Sequence, residues 1–404
     1  MTRLLTALVA TLAVLATPSP SSANGRFPNA QHVWRSPSDG TMVLRATWGF
    51  AFVRPAATPR WACEDALGYG GEFDPPFVID ARGGVWLGLY DGLVRVSPDR
   101  CGITRLPALQ GENVADLDAS PDGRHLVLVE NTLFTSATRS VVARLWRSDD
   151  GGDTWGPTAA VIRDALLDTV EMSRSDPQRV YMTGREARSA GVRFLRSDDG
   201  GAQFRGLEPD WSADAESAFI AGVAPDDPDR VFVRVVLRPA AAGGALDVSA
   251  LYRSDDGGER WRRVRTFSGP MAGFALHDDG RTVWAGGPDP LDGLQRSRDG
   301  GETWESLPRL PLRCLRWAGG ALYACLDAAR SPEAALARSD DLGESFSPML
   351  DPCDLRPGTG CTAGTDPAAV CASLLSSTRA FLGCPRAPRD AGGIATCRRP
   401  ATSA

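Results

Sequence analysis

The sequence contains no lysine, since all 44 of its basic residues are arginine. Histidine is almost as scarce: His32, His125 and His277 are spaced neither like metal ligands nor like members of a Ser/His/Asp triad. Cys-x-x-Cys pairs, phosphate-binding glycine loops and amphipathic membrane helices are also missing. These absences predict a protein without a bound metal or cofactor.

Charge and hydropathy exclude two further classes of protein. The formal net charge of the 404-residue chain is −6, and no stripe of basic residues occurs, so nucleic acid is not an expected partner. No run of about 20 apolar residues is present, which argues against a membrane-spanning helix. We therefore expect a soluble protein whose partner is another protein or a polysaccharide.

The first 23 residues have the pattern of a secretory signal peptide. Arg3 provides the positive start, residues 4–16 form the apolar run, and Ser21, Ser22 and Ala23 form a small-residue cleavage site. Nine cysteines fit an oxidising compartment, where disulfides persist. The sequence thus predicts a secreted or periplasmic protein that is cleaved near Ala23.

A nine-residue motif at 147–155 recurs four times downstream. Its pattern is Ser-x-Asp-x-Gly-x-x-Trp/Phe, and repeats about 40 to 60 residues apart are typical of β-propeller blades. The five copies are Ser148, Asp150, Gly152, Trp155; Ser197, Asp199, Gly201, Phe204; Ser254, Asp256, Gly258, Trp261; Ser297, Asp299, Gly301, Trp304; and Ser339, Asp341, Gly343, Phe346.

The residue types of this motif predict a tight turn between two strands. The aspartate accepts hydrogen bonds from nearby backbone N–H groups, the glycine adopts a left-handed conformation, and the aromatic residue anchors the next strand. We therefore interpret the aspartates as structural, and neither as catalytic groups nor as calcium ligands.

Two eroded copies and a second repeated element extend the series. Ser97 and Asp99 keep their places while Cys101 replaces the glycine, and an earlier copy retains only the aromatic residue, Trp61. A hairpin of two apolar strands precedes each motif. The pattern predicts an all-β, seven-bladed propeller of four-stranded antiparallel blades at 31–64, 73–109, 112–159, 168–207, 216–266, 271–307 and 312–350.

The motif resembles the Asp-box, or bacterial neuraminidase repeat, of β-propellers such as sialidases, sortilin-type receptors and photosystem II assembly-factor-like proteins. The resemblance implies that each motif joins the third and fourth strands of a blade, on the face opposite the active site of sialidases. It does not imply an activity, because this repeat occurs in enzymes and non-enzymes alike.

Sialidase activity would further require an arginine triad, a Phe/Tyr-Arg-Ile-Pro motif, a Tyr/Glu nucleophile pair and an acidic proton donor. Phe52-Val53-Arg54-Pro55 is the nearest match, but it lies at an Asp-box position. Tyr69 and Tyr90 lack a paired glutamate, and the other three of the five tyrosines lie in strand patterns. The sequence therefore argues against a sialidase.

A glycoside hydrolase of xyloglucanase-like character is the alternative function, because two carboxylates from distant blades can form its active site. Asp116, Glu171 and Glu216 are the catalytic candidates, and with Glu72 and Asp74 we place them before or at the start of innermost strands, around the mouth of the channel. Solvated loop carboxylates are the ordinary interpretation of the same residues.

The cysteines predict two disulfides in the propeller and a stapled tail. Cys314 and Cys325 lie opposite each other across a Gly-Gly turn, and Cys63 and Cys101 are predicted to tie the first two blades. Five more cysteines follow the last blade, where a short helix is predicted from Asp366 to a stop at Gly383, with Val370, Leu374 and Phe381 on its apolar side. These five are Cys353, Cys361, Cys371, Cys384 and Cys397.

Together these features divide the chain into a signal peptide (1–23), a propeller (24–350) and a cysteine-rich tail (351–404). The sequence leaves three ways to close the ring: residues 24–30 pair across the seam, part of the tail pairs across it, or the first and last blades close by packing alone. The long segments 131–140, 184–191 and 238–250 lie on the face opposite the motifs. We expect an exported, non-catalytic protein that binds a protein or polysaccharide through that face, with the tail as a lid.

Overall fold

The computed structural model describes residues 29–385, except 56, 71–72, 133–140, 190, 239–247, 328–329, 332–333, 359–360 and 362–365. These residues form a seven-bladed β-propeller, and each blade is an antiparallel sheet whose four strands lie in chain order. The predicted fold is therefore confirmed. The predicted signal peptide and Cys397 lie outside the described residues, and the three-part division of the chain stays a prediction.

The strands of the first four blades follow one another along the chain. Blade 1 contains β1 (Ala30–Arg35), β2 (Met42–Ala46), β3 (Gly49–Val53) and β4 (Arg60–Ala62). Blade 2 contains β5 (Phe77–Ile79), β6 (Val85–Leu89), β7 (Gly92–Val96) and β8 (Ile103–Arg105). Blade 3 contains β9 (Asn113–Ala119), β10 (Leu126–Thr132), β11 (Val142–Ser148) and β12 (Gly156–Arg163). Blade 4 contains β13 (Ala165–Met172), β14 (Val180–Glu186), β15 (Val192–Ser197) and β16 (Arg205–Leu207).

The last three blades have the same plan, and short helices lie in and after the ring. Blade 5 contains β17 (Ala215–Val223), β18 (Val231–Leu237), β19 (Val248–Ser254) and β20 (Arg262–Thr266). Blade 6 contains β21 (Gly273–Leu276), β22 (Val283–Gly286), β23 (Leu294–Ser297) and β24 (Glu305–Ser306). Blade 7 contains β25 (Leu312–Ala318), β26 (Ala321–Leu326), β27 (Leu336–Ser339) and β28 (Ser347–Leu350). The helices are α1 (Glu64–Leu67), α2 (Leu375–Phe381) and the 3₁₀ segments Pro107–Leu109, Pro352–Asp354 and Pro367–Leu374.

The middle strands of the blades are apolar on both faces because each blade packs between two others. All five residues of β3 and of β6 are buried, and so are the first six residues of β10. The outermost strands are short and exposed, as in β24. This gradient places the core between the blades and leaves polar edges on the outer rim.

All five intact motifs form the same hydrogen-bonded turn. The serine Oγ accepts the N–H of the glycine four residues on, at 2.8 Å in Ser148–Gly152, and donates to the aspartate. The aspartate then accepts the N–H of the residue four positions further, and these hydrogen bonds lower the pKa of Asp150, Asp299 and Asp341 to about 2. We call these five segments the Ser-Asp turns.

Each Ser-Asp turn also fastens its blade to the preceding one. Gly258 has φ +96°, and a Cβ added to it would lie 2.3 Å from Cε1 of Phe194 in blade 4. The aromatic residue of the same turn, Trp261, meets the Phe194 ring edge-to-face at 5.0 Å between centroids. The glycine is therefore required both for its backbone conformation and for close approach of the blades.

The arginines that precede three of the turn serines extend the connection to the turn of the following blade. Arg196 donates to the carbonyl of Gly257, Arg253 to that of Gly300 and Arg296 to that of Leu342, at 3.4, 2.6 and 2.8 Å. Successive turns are thus linked around one face of the ring. Sequence analysis had assigned the motif only to fastening its own hairpin.

The ring closes through contacts from both ends of the chain. Near the N-terminus, β1 packs beside β25, and Asn29 bridges Asp327 of blade 7. After blade 7 the chain returns to blade 1, where β29 (Arg356–Pro357) adds a fifth strand parallel to β4. The tail therefore packs on the outer rim of the first blades, as a clasp, and the predicted lid over the channel is wrong for its described residues.

Disulfides hold this clasp in place. Cys63 bonds to Cys371 and Cys101 bonds to Cys361, so the predicted Cys63–Cys101 bond is wrong. The reason is that the tail passes over blades 1 and 2 and presents a cysteine to each. Cys101 occupies the glycine position of the eroded turn, in which Ser97 still donates to Asp99.

The other two disulfides lie within single elements of the fold. Cys314 and Cys325 are paired across the β25–β26 hairpin and bonded, which confirms that prediction. Cys353 bonds to Cys384 within the tail.

The predicted tail helix is present as the 3₁₀ segment Pro367–Leu374 followed by α2, with the Asp366 side chain capping Ala368 N–H. The prediction of its apolar side is only partly right. Val370 and Leu374 are exposed, because the bonded Cys371 turns the opposite side of the segment inward.

Gly258→Ala tests the role of the turn glycines between blades. We expect a loss of about 3 kcal/mol in the free energy of unfolding, from backbone strain together with overlap with Phe194. The matched control is Gly111→Ala, because Gly111 also has positive φ but no atom within 4 Å of an added Cβ. Denaturant unfolding measures both variants, and equal losses would contradict a packing role.

Removal of the clasp tests how the ring closes. Replacing Cys63, Cys101, Cys361 and Cys371 by serine should lower the free energy of unfolding by about 5 kcal/mol, against about 3 kcal/mol for the Cys314–Cys325 pair, since the clasp closes longer loops. Hydrogen exchange should then show lost protection in β4 and at the β1–β25 seam, with blades 4 and 5 unchanged. A uniform loss over all blades would refute the clasp.

Candidate functional site

The centre of the ring is a channel with a cavity of about 460 Å³. The innermost strands β1, β5, β9, β13, β17, β21 and β25 all contribute lining residues. Consecutive residues of these strands, such as Asp116, Leu117 and Asp118, line the cavity, because each innermost strand turns its open edge toward the channel. A cavity of this size falls within the range of small-ligand sites, about 300–1,000 Å³.

The two faces of the ring differ in what they carry. Within blades 3 and 4, Gly151 donates to the carbonyl of Arg124 and Gly200 to that of Gln178, so the loop between the first two strands meets the Ser-Asp turn. We call this side the turn face. The connections between second and third strands lie on the other side, the loop face. Each innermost strand therefore begins at the loop face and ends at the turn face.

Asp116 and Glu171 lie together in the channel, as predicted, but deeper than expected. Asp116 is the fourth residue of β9, and Glu171 is the seventh of the eight residues of β13. They therefore project from the middle and the turn-face end of their strands, and not from strand starts. The prediction was wrong in depth because it took these residues as strand starts, whereas β9 begins three residues before Asp116 and β13 begins six residues before Glu171.

Glu216 does not belong to this group. It is the second residue of β17, is exposed, and lines a separate cavity of about 310 Å³ with Arg185 and Ser217. Glu72 lies outside the described residues, and the Asp74 carboxylate accepts a hydrogen bond from Gln31. Of the three catalytic candidates, the structure thus brings together two.

Asp116 and Asp118 satisfy backbone groups of the next blade. Oδ2 of Asp116 accepts the N–H of Val170 at 2.9 Å, and Oδ2 of Asp118 accepts that of Met172 at 2.8 Å. The edge of β13 that faces the channel has no neighbouring strand to accept these N–H groups, so the two carboxylates cap it. Asp116 and Asp118 therefore have a structural role between blades 3 and 4.

Enclosure in the channel raises the pKa values of three carboxyl groups, those of Asp116, Asp118 and Glu171. Burial raises the pKa of Asp116 to about 7, against the pull of the hydrogen bond from Val170. Burial also raises the pKa of Asp118, and it raises that of Glu171 well above its usual range, helped by the neighbouring charge of Asp118. These groups therefore hold their protons at a pH where free carboxylates are ionised.

Two arginines share this part of the channel. The guanidinium of Arg316, from β25, lies 3.6 Å from the ring centroid of Trp34, from β1. Burial and, after it, the nearby positive charge of Arg174 lower the pKa of Arg316 to about 10. Arg174 follows β13 in the loop on the turn face. Arg316 therefore remains charged at neutral pH, and the two guanidinium groups lie close enough to repel.

Three of these side chains have no polar partner in the part of the chain that the structure describes. Glu171, Arg174 and Arg316 make neither a hydrogen bond nor an ion pair with a described residue, whereas Asp116 and Asp118 do. All three are half-buried and line the channel. We call them the free charged triad. Their charged groups are open to the channel and are not engaged by other side chains, so the triad is the candidate binding site.

Asp118, Arg174 and Arg316 were not among the site residues predicted from the sequence. The two that lie in strands carry a readable signal: Asp118 alternates with Asp116 along β9, and Arg316 lies among apolar residues in β25. A charged residue at a channel-facing position of an innermost strand is the pattern to seek. Arg174 lies in a polar loop and carries no such signal.

Two further kinds of feature were sought among the described residues. They contain no group of three or more His, Cys, Asp and Glu side chains placed to hold a metal ion. None of their helices is long and apolar enough to cross a membrane. His32 also lines the channel, and burial holds its pKa well below the ordinary value, so its imidazole stays neutral.

Comparison with solved structures shows the fold. No protein-family model matches the chain, and no curated protein matches it in sequence. A chain of Kuenenia stuttgartiensis hydrazine synthase is 12% identical with a TM-score of 0.54, over 79% of this chain and 97% of that one. The likeness shows the propeller fold alone.

Two further solved structures are similar to this chain at low sequence identity. Oligogalacturonate lyase from Vibrio parahaemolyticus is 10% identical with a TM-score of 0.51, over 74% of this chain and 88% of that one. YCF48 bound to D1 peptide is 18% identical with a TM-score of 0.38, over 59% of this chain and 67% of that one. Identities of 10% and 18% are too low to carry a function over to this chain.

Asp116→Asn tests the perturbed carboxyl group. Folded Asp116 keeps its proton up to about pH 7, whereas the unfolded residue loses it near pH 4, so a rise in pH between these values lowers the free energy of unfolding. Asparagine keeps an acceptor for Val170 N–H without this titration. At pH 7.5 the variant should be more stable than the natural chain by on the order of 2 kcal/mol, and at pH 4.5 equally stable.

Asp116→Ala is the matched control in the same melting series, because it removes the acceptor as well as the charge. It should be less stable than Asp116→Asn by about 1–3 kcal/mol at every pH, from the unsatisfied N–H of Val170. Parallel stability curves for the natural chain and Asp116→Asn would contradict the raised pKa.

Proposed function

We propose that the chain is an exported, non-catalytic β-propeller that binds another macromolecule, a protein or a polysaccharide, at its central channel. The observation that carries this proposal is the free charged triad Glu171, Arg174 and Arg316, which lines the channel without a polar partner among the described residues. Groups held in an enclosed site without partners are suited to contact a ligand.

Export is supported by the disulfides and by the start of the sequence. Four disulfides indicate an oxidising environment outside the cytoplasm. Residues 1–23 have the composition of a signal peptide, with cleavage proposed near Ala23. An extracytoplasmic polysaccharide or protein is therefore the partner that this chain would meet.

The position of the triad favours entry from the turn face. Arg174 lies in a turn-face loop, and Glu171 and Arg316 lie near the turn-face ends of their strands. The sequence points instead to the loop face, whose segments 133–140 and 239–247 lie outside the described residues. We place the specific contacts in the channel, because its charged side chains are the ones that lack partners.

Hydrolysis by a carboxylate pair is the second candidate, and one observation favours it. The pKa of Glu171 is raised well above its usual range, as a general acid requires. A glycoside hydrolase also needs an ionised partner, however, and Asp116 and Asp118 both have raised pKa values and are engaged with backbone N–H groups. The channel therefore supports binding better than hydrolysis.

The test measures binding and turnover on the same material. The mature chain is titrated against immobilised neutral and acidic polysaccharides and purified exported proteins, and product release is followed in parallel. We expect binding without turnover, weakened at least 10-fold by Glu171→Ala or Arg316→Ala, since each removes a direct contact. Arg338→Ala is the control, because Arg338 pairs with Asp340 on the surface outside the channel.

Two results would overturn the proposal. Product release that disappears in Glu171→Gln or Asp116→Asn would make the protein a hydrolase. Binding that is insensitive to the channel variants but lost in Glu216→Ala would place the site on the loop face.

A further inference from the structure

The channel end that holds the triad brings two arginines together although the formal charge of the whole chain is −6. Burial raises the pKa of Asp118, and it raises that of Glu171 well above its usual range, which weakens the negative charge that faces these arginines. Arg174 and Arg316 thus form no ion pair with a described residue, although they line the same half-enclosed cavity.

The contact with Trp34 orients one of these cations. Because the Arg316 guanidinium lies 3.6 Å from the Trp34 ring centroid, one of its faces is covered by the indole. Its N–H groups lie in the guanidinium plane, away from that covered face, and make no hydrogen bond with a described residue. A stacked arginine with free donors is the arrangement that recognises planar oxyanions through paired hydrogen bonds.

We propose that this end of the channel binds the carboxylate of an acidic sugar between Arg174 and Arg316, with the Glu171 side chain beside it. The inference rests on the proposed binding function and names its ligand class, a polysaccharide that contains uronic acid. Two guanidinium groups supply charge and geometry, and Glu171 supplies a neutral donor. No bond is made or broken.

A sugar fits the channel better than an extended peptide does. A peptide strand would need free N–H groups on the inner strand edges, but Asp116 and Asp118 cap those of Val170 and Met172, and Thr169 caps that of Ile220 at 3.2 Å. The channel offers side-chain groups instead, which suit hydroxyls. Its volume of about 460 Å³ admits the end of a sugar chain and excludes a folded domain.

The pH dependence of the binding affinity distinguishes this site from a simple pair of arginines. Protonated Glu171 donates to the bound carboxylate, whereas ionised Glu171 repels it, so affinity should fall as pH rises through the raised pKa of Glu171. Other titratable or charged groups face Glu171 from the surrounding elements: Asp116 and Asp118 on β9, Arg174 after β13, His32 on β1, Arg45 on β2 and Arg316 on β25. Because the pKa of Asp116 is raised to about 7, Asp116 also titrates within a neutral pH series, and its contribution needs a separate variant.

Calorimetric titration of the mature chain with tetraglucuronate tests the proposal, with cellotetraose as the matched neutral probe and an acidic peptide as the third arm. We expect tetraglucuronate alone to bind, at least 10-fold more tightly at pH 5.5 than at pH 8. Arg174→Gln and Arg316→Gln should each weaken binding at least 10-fold, and Arg316→Lys should restore part of the loss, because the charge returns without the fork.

Glu171→Gln separates recognition from structure. Its amide still donates a hydrogen bond and does not titrate, so binding should persist at pH 8 with most of the pH dependence removed. Asp116→Asn should leave that dependence largely in place, and Arg338→Gln should bind like the natural chain. Thermal melts identify any variant that fails to fold. If an arginine variant fails, the pH profile of Glu171→Gln still decides whether Glu171 contacts the ligand.

Each contrary outcome has a definite meaning. Equal binding of cellotetraose and tetraglucuronate, or binding of the peptide alone, would overturn the acidic-sugar inference and leave the proposed binding function standing. An unchanged pH profile in Glu171→Gln would remove Glu171 from the site. If no arm binds and the wider panel of macromolecules also fails, both the inference and the proposed function fall.

Discussion

Close contact between each Ser-Asp turn and the blade before it is the constraint on which the ring depends. A single four-stranded blade leaves two apolar faces open, and only its neighbours can cover them. The turn glycines permit that approach: a Cβ at Gly201 would lie 2.1 Å from Cδ2 of Leu145, and one at Gly152 would lie 2.4 Å from Cζ2 of Trp86. Arginines such as Arg253 then connect each turn to the next. The carboxylates of the motif aspartates are thus used in structural hydrogen bonds within the turns.

The same need to satisfy backbone groups shapes the channel. Innermost strands have one unpaired edge each, and side chains from the preceding blade accept its N–H groups, as Asp116 and Thr169 do. What remains after this capping is Glu171, Arg174 and Arg316. Asp116 and Thr169 belong to the scaffold because they cap backbone groups, whereas the free charged triad forms the candidate site. Because the Asp116 carboxylate is used in capping, a hydrolytic carboxylate pair is also disfavoured.

The outcomes of individual predictions show where local reasoning succeeds. Two cysteines flanking a Gly-Gly turn must oppose each other, so the Cys314–Cys325 bond followed from register alone. Cys63 and Cys101 have no such local constraint, and their partners come from a tail that returns across the ring. Likewise, Glu216 was grouped with Asp116 by counting from strand starts, although depth along a strand decides which residues meet.

The sequence by itself determined the turns, the hairpins, the number of blades and the all-β class, because these depend on residue alternation and on backbone preferences within a few residues. Tertiary structure alone decided the clasp and the composition of the channel. Arg316 and Glu171 come from blades that are distant along the chain, and only ring closure brings their strands around one axis. No local pattern records that proximity, since it arises from the curvature of all seven blades together.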